Sequence, residues 1–146
     1  MSDREMIERM AVIEDRVREL YLVFAGKFSE DAALWNKLAD EEKVHGEVLR
    51  DFARNFRYSG MEVSELKFSA KNIEYMENYL DSASQKDIKD RKEALAIAQA
   101  IEDDILERDS FSVFNTSIPD MKIVFTILDN ETRSHSKRIS EYIKAL

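Results

Sequence analysis

Between Asp3 and Phe28 an apolar side chain returns every three or four positions: Met6, Met10, Ile13, Val17, Leu20, Phe24 and Phe28. That is the period of an α-helix with one buried stripe. The same rhythm resumes with Leu34, Trp35, Leu38, Leu49 and Phe52, and again with Leu95, Ala98, Ile101, Ile105 and Val113. Only 3 glycines and 1 proline interrupt 146 residues, so little in the chain breaks a helix. The sequence therefore predicts an all-α fold in a single domain spanning residues 1–146.

The pattern also sets the expected order of elements. The first helix runs from about Asp3 to about Phe28. The second begins near Ser29, read as an N-cap with Glu30 and Asp31 in the first turn, and ends near Asn55. So short a loop makes the two antiparallel neighbours. Tyr58-Ser59-Gly60 closes that hairpin, and the text stays less regular as far as Lys89. Within it, Ile73, Met76, Tyr79 and Leu80 predict one short helix. The third long helix is expected from about Asp90 to about Asn115. A break follows, with Pro119 in the first turn of a fourth that runs nearly to Leu146. The expected architecture is two antiparallel helical hairpins joined by a long crossover containing a short helix. A four-helix bundle with one long crossover has ferritin-like connectivity.

Charge and cysteine content narrow the function classes. The net charge is −8, which argues against nucleic acid as a partner, because phosphate contacts need clustered Lys and Arg. With no cysteine, disulfides, thiolate metal sites and cysteine nucleophiles are excluded. No apolar run approaches the roughly 18 residues of a membrane span, and the first residues do not read as a signal peptide. The expectation is a cytoplasmic protein with no membrane partner.

An internal repeat singles out the chemistry. Ile13-Glu14-Asp15-Arg16-Val17 matches Ile101-Glu102-Asp103-Asp104-Ile105, and Leu38 through His45 matches Leu128 through His135. The chain's only 2 histidines thus fall at equivalent places in two similar hairpins, each following a Glu on the preceding helix. His45 shares a helical stripe with Leu38, Leu49 and Phe52; His135 shares one with Leu128, Ile139 and Tyr142. Glu14 and Glu102 also sit on apolar stripes. A buried carboxylate costs several kcal/mol unless it is paired or bound to metal. Taken alone, His45 reads as an ordinary core histidine and Glu41 and Glu42 as solvated charges. The duplicated set favours cations between the helices.

Glu42-x-x-His45 places an oxygen and a nitrogen one turn apart on one helix face. Mixed oxygen and nitrogen donors suit iron, manganese or zinc. Two Glu from one helix pair and two Glu-x-x-His motifs from the other build the dimetal carboxylate site of ferritin-like bundles. In these motifs the chain resembles a rubrerythrin-type ferritin-like domain. Glu14 followed by Tyr21, Phe24 and Ala25 is similar to the family's first metal helix, and Leu38 to His45 to its Glu-x-x-His helix. The resemblance covers most of the chain and is weakest from about residue 58 to about 89. It implies the ligands Glu14, Glu42, His45, Glu102 and His135, two iron ions (manganese or zinc as alternatives), and reaction with peroxide or O₂.

The sixth ligand position is Thr132, a departure from the family pattern. Glu131 swinging in, a water filling the gap, or a single well-bound metal are the three outcomes left open. Asp109, aligned with Tyr21, is a further inward carboxylate candidate. The resemblance also implies a homodimer, with residues 58–66 contributing to its surface. The family's Cys₄ rubredoxin domain has no counterpart here, so an external electron donor is expected. The alternatives to an oxidoreductase are a non-catalytic metal-binding, storage or sensing module, and a structural dimer with a vestigial site.

Overall fold

The computed structural model describes residues 3–55, 70–107 and 119–146, and all of its regular structure is helical. In chain order the elements are α1 (Asp3–Lys27), a 3₁₀ turn (Ser29–Asp31), α2 (Ala32–Asn55), α3 (Ala70–Gln85), α4 (Arg91–Glu107) and α5 (Pro119–Lys144). The third predicted helix is described as far as Glu107. Asp109 and the expected dimer surface at residues 58–66 lie outside the described residues. No helix among the described residues is long and apolar enough to cross a membrane.

α1 buries Met6, Ile7, Met10, Ile13, Val17, Leu20, Tyr21 and Phe24 along one stripe. α2 packs against it with Leu34, Trp35, Leu38, Ala39, Leu49 and Ala53. The turn between them differs from the expected Ser29 cap. Phe28 is the residue flanking the 3₁₀ turn, no side chain caps it, and α2 starts only at Ala32. The reason lies in Asp31. Its side chain is buried, and Arg91 at the start of α4 grips both its oxygens, Nε donating to Oδ2 at 2.9 Å and Nη2 to Oδ1 at 2.7 Å. Forked pairing of this kind orients as well as attracts. A tertiary ion pair thus uses the acid that local reasoning assigned to a helix first turn.

α3 lies along α1, tied by ion pairs from Arg9 to Glu77 and from Arg16 to Asp81. Ile73, Met76, Leu80 and Ala83 form its buried face. α4 opens with a cap, the Glu93 N–H donating to Asp90 Oδ1 at 2.8 Å. α4 and α5 form the second packed pair, burying Leu95, Ala98, Ile101 and Ile105 opposite Phe125, Leu128 and Ile139. Phe52 meets Phe125 at 5.7 Å between ring centres and His45 meets His135 at 5.3 Å, so α2 and α5 run antiparallel across the centre.

Removing one partner of the Asp31–Arg91 pair leaves a charge without its counterion. Arg91→Ala should lower the melting temperature, and adding Asp31→Asn should recover part of the loss because the remaining group is then neutral. Thermal melts of the two variants by circular dichroism check this. A double variant no more stable than Arg91→Ala would show that the clamp does not couple the hairpins.

Candidate metal centre

Four helices direct polar side chains into one buried region: Glu14 from α1, Glu42 and His45 from α2, Glu102 from α4 and His135 from α5. Each is at most 3% exposed. They fall into two groups, Glu14–Glu42–His45 and Glu42–Glu102–His135, and within each the potential ligand atoms lie within 4.8 Å of one another.

Glu42 belongs to both groups. Its Oε1 accepts from His135 Nδ1 at 2.9 Å, while its Oε2 lies 3.5 Å from His45 Nδ1. One oxygen therefore faces each half of the centre. On the first side Glu14 Oε2 is 3.8 Å from His45 Nδ1. On the second, Glu102 Oε1 lies 3.4 Å from His135 Nδ1 and accepts from the Tyr21 hydroxyl at 2.7 Å. The two imidazoles stack, their planes 17° apart.

The outer nitrogens are strapped crosswise. His135 Nε2 donates to Glu41 Oε2 at 2.9 Å, and Arg138 holds the same carboxylate. His45 Nε2 bonds to Glu131. Glu41 precedes His45 by one turn on α2, and Glu131 precedes His135 by one turn on α5. Each acid thus reaches the histidine of the other hairpin. A carboxylate on the outer nitrogen fixes ring orientation and leaves the other nitrogen facing inward, an arrangement that tunes metal-binding histidines.

Glu131 therefore stands outside both groups. Its carboxylate meets the far side of the His45 ring, as a partner of the imidazole rather than of the cluster. Thr132 is buried, and its hydroxyl donates back to the Leu128 carbonyl at 2.9 Å, so its one polar hydrogen is turned away from the acids. From the sequence alone Glu41 reads as a solvated charge, and nothing there gives Tyr21 a hydrogen bond to the acids. The crosswise role of Glu41 was available in the repeat, since Glu41 and Glu131 occupy the same position in each hairpin. The Tyr21–Glu102 bond joins residues of different helices and leaves no local signature.

The acids and imidazoles shift one another strongly. Burial, then the Glu42 carboxylate beside it, pushes the Glu14 carboxyl up to about 8. Burial and the charge of Glu102 press Glu42 the same way, but Glu14 and the two histidines outweigh them and hold it below its usual value. Burial works against a charged imidazole, yet Glu14 and Glu42 push His45 up to about 12, and Glu102 and Glu42 push His135 up to about 10. Burial and the Glu102 charge raise the Tyr21 phenol well above its normal value, which keeps it a donor. These shifts favour protonated imidazoles beside the buried acids near neutral pH.

Those protons do not satisfy the centre. Glu42 Oε2, His45 Nδ1 and Glu102 Oε2 are buried with no hydrogen-bond partner. Buried polar atoms are rarely left so, and an unpaired one costs about 1–3 kcal/mol. All three are potential ligand atoms turned toward one small volume. The donor set, three carboxylates and two imidazoles with no sulfur, fits hard or borderline divalent cations such as iron, manganese or zinc.

Comparison of the chain with known protein families, with characterised proteins and with solved structures returned no match.

The shifts predict opposite pH trends for the metal-free and metal-loaded protein. Glu14 binds its proton more tightly folded than unfolded, between 4.5 and about 8. The histidines do so from 6.5 up to about 10 and about 12. In each window the folded state holds more protons, so metal-free stability falls as pH rises. Metal must displace the same protons, so affinity for zinc should rise from about pH 6 to about pH 8 with net proton release. Melting curves with and without zinc, and calorimetry in buffers of differing ionisation heat, measure both. Proton uptake on binding would contradict the assignment.

Proposed function

We propose that this chain is a dimetal carboxylate protein of rubrerythrin type, built on a ferritin-like four-helix bundle and acting as an oxidoreductase on peroxide or O₂ with iron in the core. The observation that carries the reading is Glu42. One buried carboxylate offers an oxygen to each of two Glu–His groups contributed by four different helices. Glu14 and His45 would hold one ion, Glu102 and His135 the other, and Glu42 would span the two. When bound, ferrous iron supplies the electrons that reduce peroxide or dioxygen.

The chain's own residues prepare the site for such chemistry. Glu41 and Glu131 orient the imidazoles, and the Tyr21 hydroxyl holds one oxygen of Glu102 and leaves the other free. Trp35 packs against the Tyr21 ring at 5.6 Å between centroids and against Phe24 at 5.0 Å, and all three side chains are buried. Glu14 keeps a proton near neutrality, so it is suited to give one up or take one back as the charge in the core changes. Residues 1–146 hold no cysteine, so thiols among them do not return the electrons.

A second reading is a non-catalytic metal-binding, storage or sensing module, favoured by Thr132 at the place of a fourth carboxylate. Anaerobic loading with ferrous iron, followed by peroxide, separates the two. The oxidoreductase reading expects bound iron and ferric absorbance that appears faster than with free iron. Binding without accelerated oxidation supports the module, and no binding removes both. His135→Ala should weaken metal binding at least about 10-fold and abolish the ferric response. Glu42→Gln should impair both halves, whereas Glu14→Gln and Glu102→Gln should each impair one, as counted by metal analysis after dialysis.

A further inference from the structure

The two halves of the centre are supported differently. His135 is held by Glu41, which is itself held by Arg138. Glu102 in the same half is held by the Tyr21 hydroxyl at 2.7 Å, with its second oxygen buried and unpaired. His45 is held by Glu131, whose side chain is 46% exposed. No Lys or Arg among the described residues forms an ion pair with Glu131. The repeat shows why: the position equivalent to Arg138 is Val48. One imidazole is backed by an anchored acid, the other by an acid facing solvent.

Charge adds a second asymmetry. A divalent ion held by Glu42 and Glu102 meets two negative charges and is neutralised. A further ion brings two positive charges into a buried region where, among the described residues, only Glu14 adds a buried negative one. Thr132, whose hydroxyl is spent on the Leu128 carbonyl, adds none. The second ion therefore leaves a net positive charge among the buried donors, which opposes its binding. Charge alone makes the ions unequal whichever half fills first, and the anchored partners decide the order.

We propose that the Glu42–Glu102–His135 half is the tight metal site and loads first, that the Glu14–Glu42–His45 half is a weaker second site, and that Tyr21 and Arg138 are the positioning residues that set this order, with Thr132 setting the gap. This deepens the dimetal reading and rests on it. The physical basis is preorganisation. Ligands already locked lose less freedom on binding, and outer partners of metal ligands are typically worth about 10–100-fold in affinity. The consequence is a protein that exchanges one ion readily while retaining the other.

Titration of the full chain with zinc or cobalt(II), followed by calorimetry and cobalt absorption, tests this without any turnover. The expected wild-type result is two ions separated by at least about 10-fold in affinity. Glu14→Gln should remove only the weak ion, and Glu102→Gln should remove the tight one. Tyr21→Phe keeps the ring packing and should weaken the tight ion by about 10-fold while leaving the weak one in place. Arg138→Ala should act in the same direction, a split between the two ions that general destabilisation does not produce. Thr132→Glu should bring the second affinity toward the first. Two equal ions, or a tight ion lost in Glu14→Gln and kept in Glu102→Gln, would overturn the order while leaving the dimetal reading intact. If no ion binds, both fall.

Discussion

Everything at the centre of this molecule follows from the cost of putting carboxylates among hydrocarbon. Glu14, Glu42 and Glu102 lie between helices whose other inward residues are Leu, Ile, Val, Ala and aromatics. Such acids persist only with positive charge or protons close by. The imidazoles of His45 and His135 provide positive charge, and Glu14 retains a proton near neutrality. The compensation is incomplete: Glu42 Oε2 and His45 Nδ1 face each other at 3.5 Å without a hydrogen bond, and Glu102 Oε2 has no hydrogen-bond partner.

Satisfying the acids constrains the packing around them. The groups converge only if α2 and α5 run antiparallel with His45 opposite His135, and only then can Glu41 and Glu131 reach across to the outer nitrogens. The repeat makes this geometry self-consistent, since each hairpin supplies both a histidine and the acid that orients the other hairpin's histidine. Away from the centre, the Asp31–Arg91 clamp ties the turn of the first hairpin to the start of the second. The departures from symmetry then stand out as chemistry. Thr132 stands where the first hairpin has Glu42, and among the described residues Arg138 anchors one strap and Tyr21 holds one acid without a counterpart in the other half.

Most helices were legible because their signal is periodic and local. The apolar stripes of α1 and α2 predicted both elements, and Ile73, Met76, Tyr79 and Leu80 located α3, although that helix is longer than four apolar positions announce. The start of α2 was misplaced because Asp31, a good residue for a helix first turn, is used instead as a buried counterion for Arg91. Four of the five inward ligand candidates were legible from duplication, since chance does not readily place two histidines and two acids at equivalent points of two hairpins, and Glu42 was legible from its three-residue spacing to His45. Glu131 carried the same sequence signal as a ligand would, and its phase alone could not say which side of an imidazole it meets.

The sequence by itself determined an all-helical chain, its duplicated hairpins, and the presence of more inward acid than an apolar core tolerates. Helical period and repeat are properties of spacing, and spacing survives without coordinates. Tertiary structure alone decided that Glu42 faces both halves, that Glu131 backs His45, and that, among the described residues, Tyr21 and Arg138 support one side only. These depend on how far helices approach and how side chains rotate across an interface, which residue spacing along one chain does not encode.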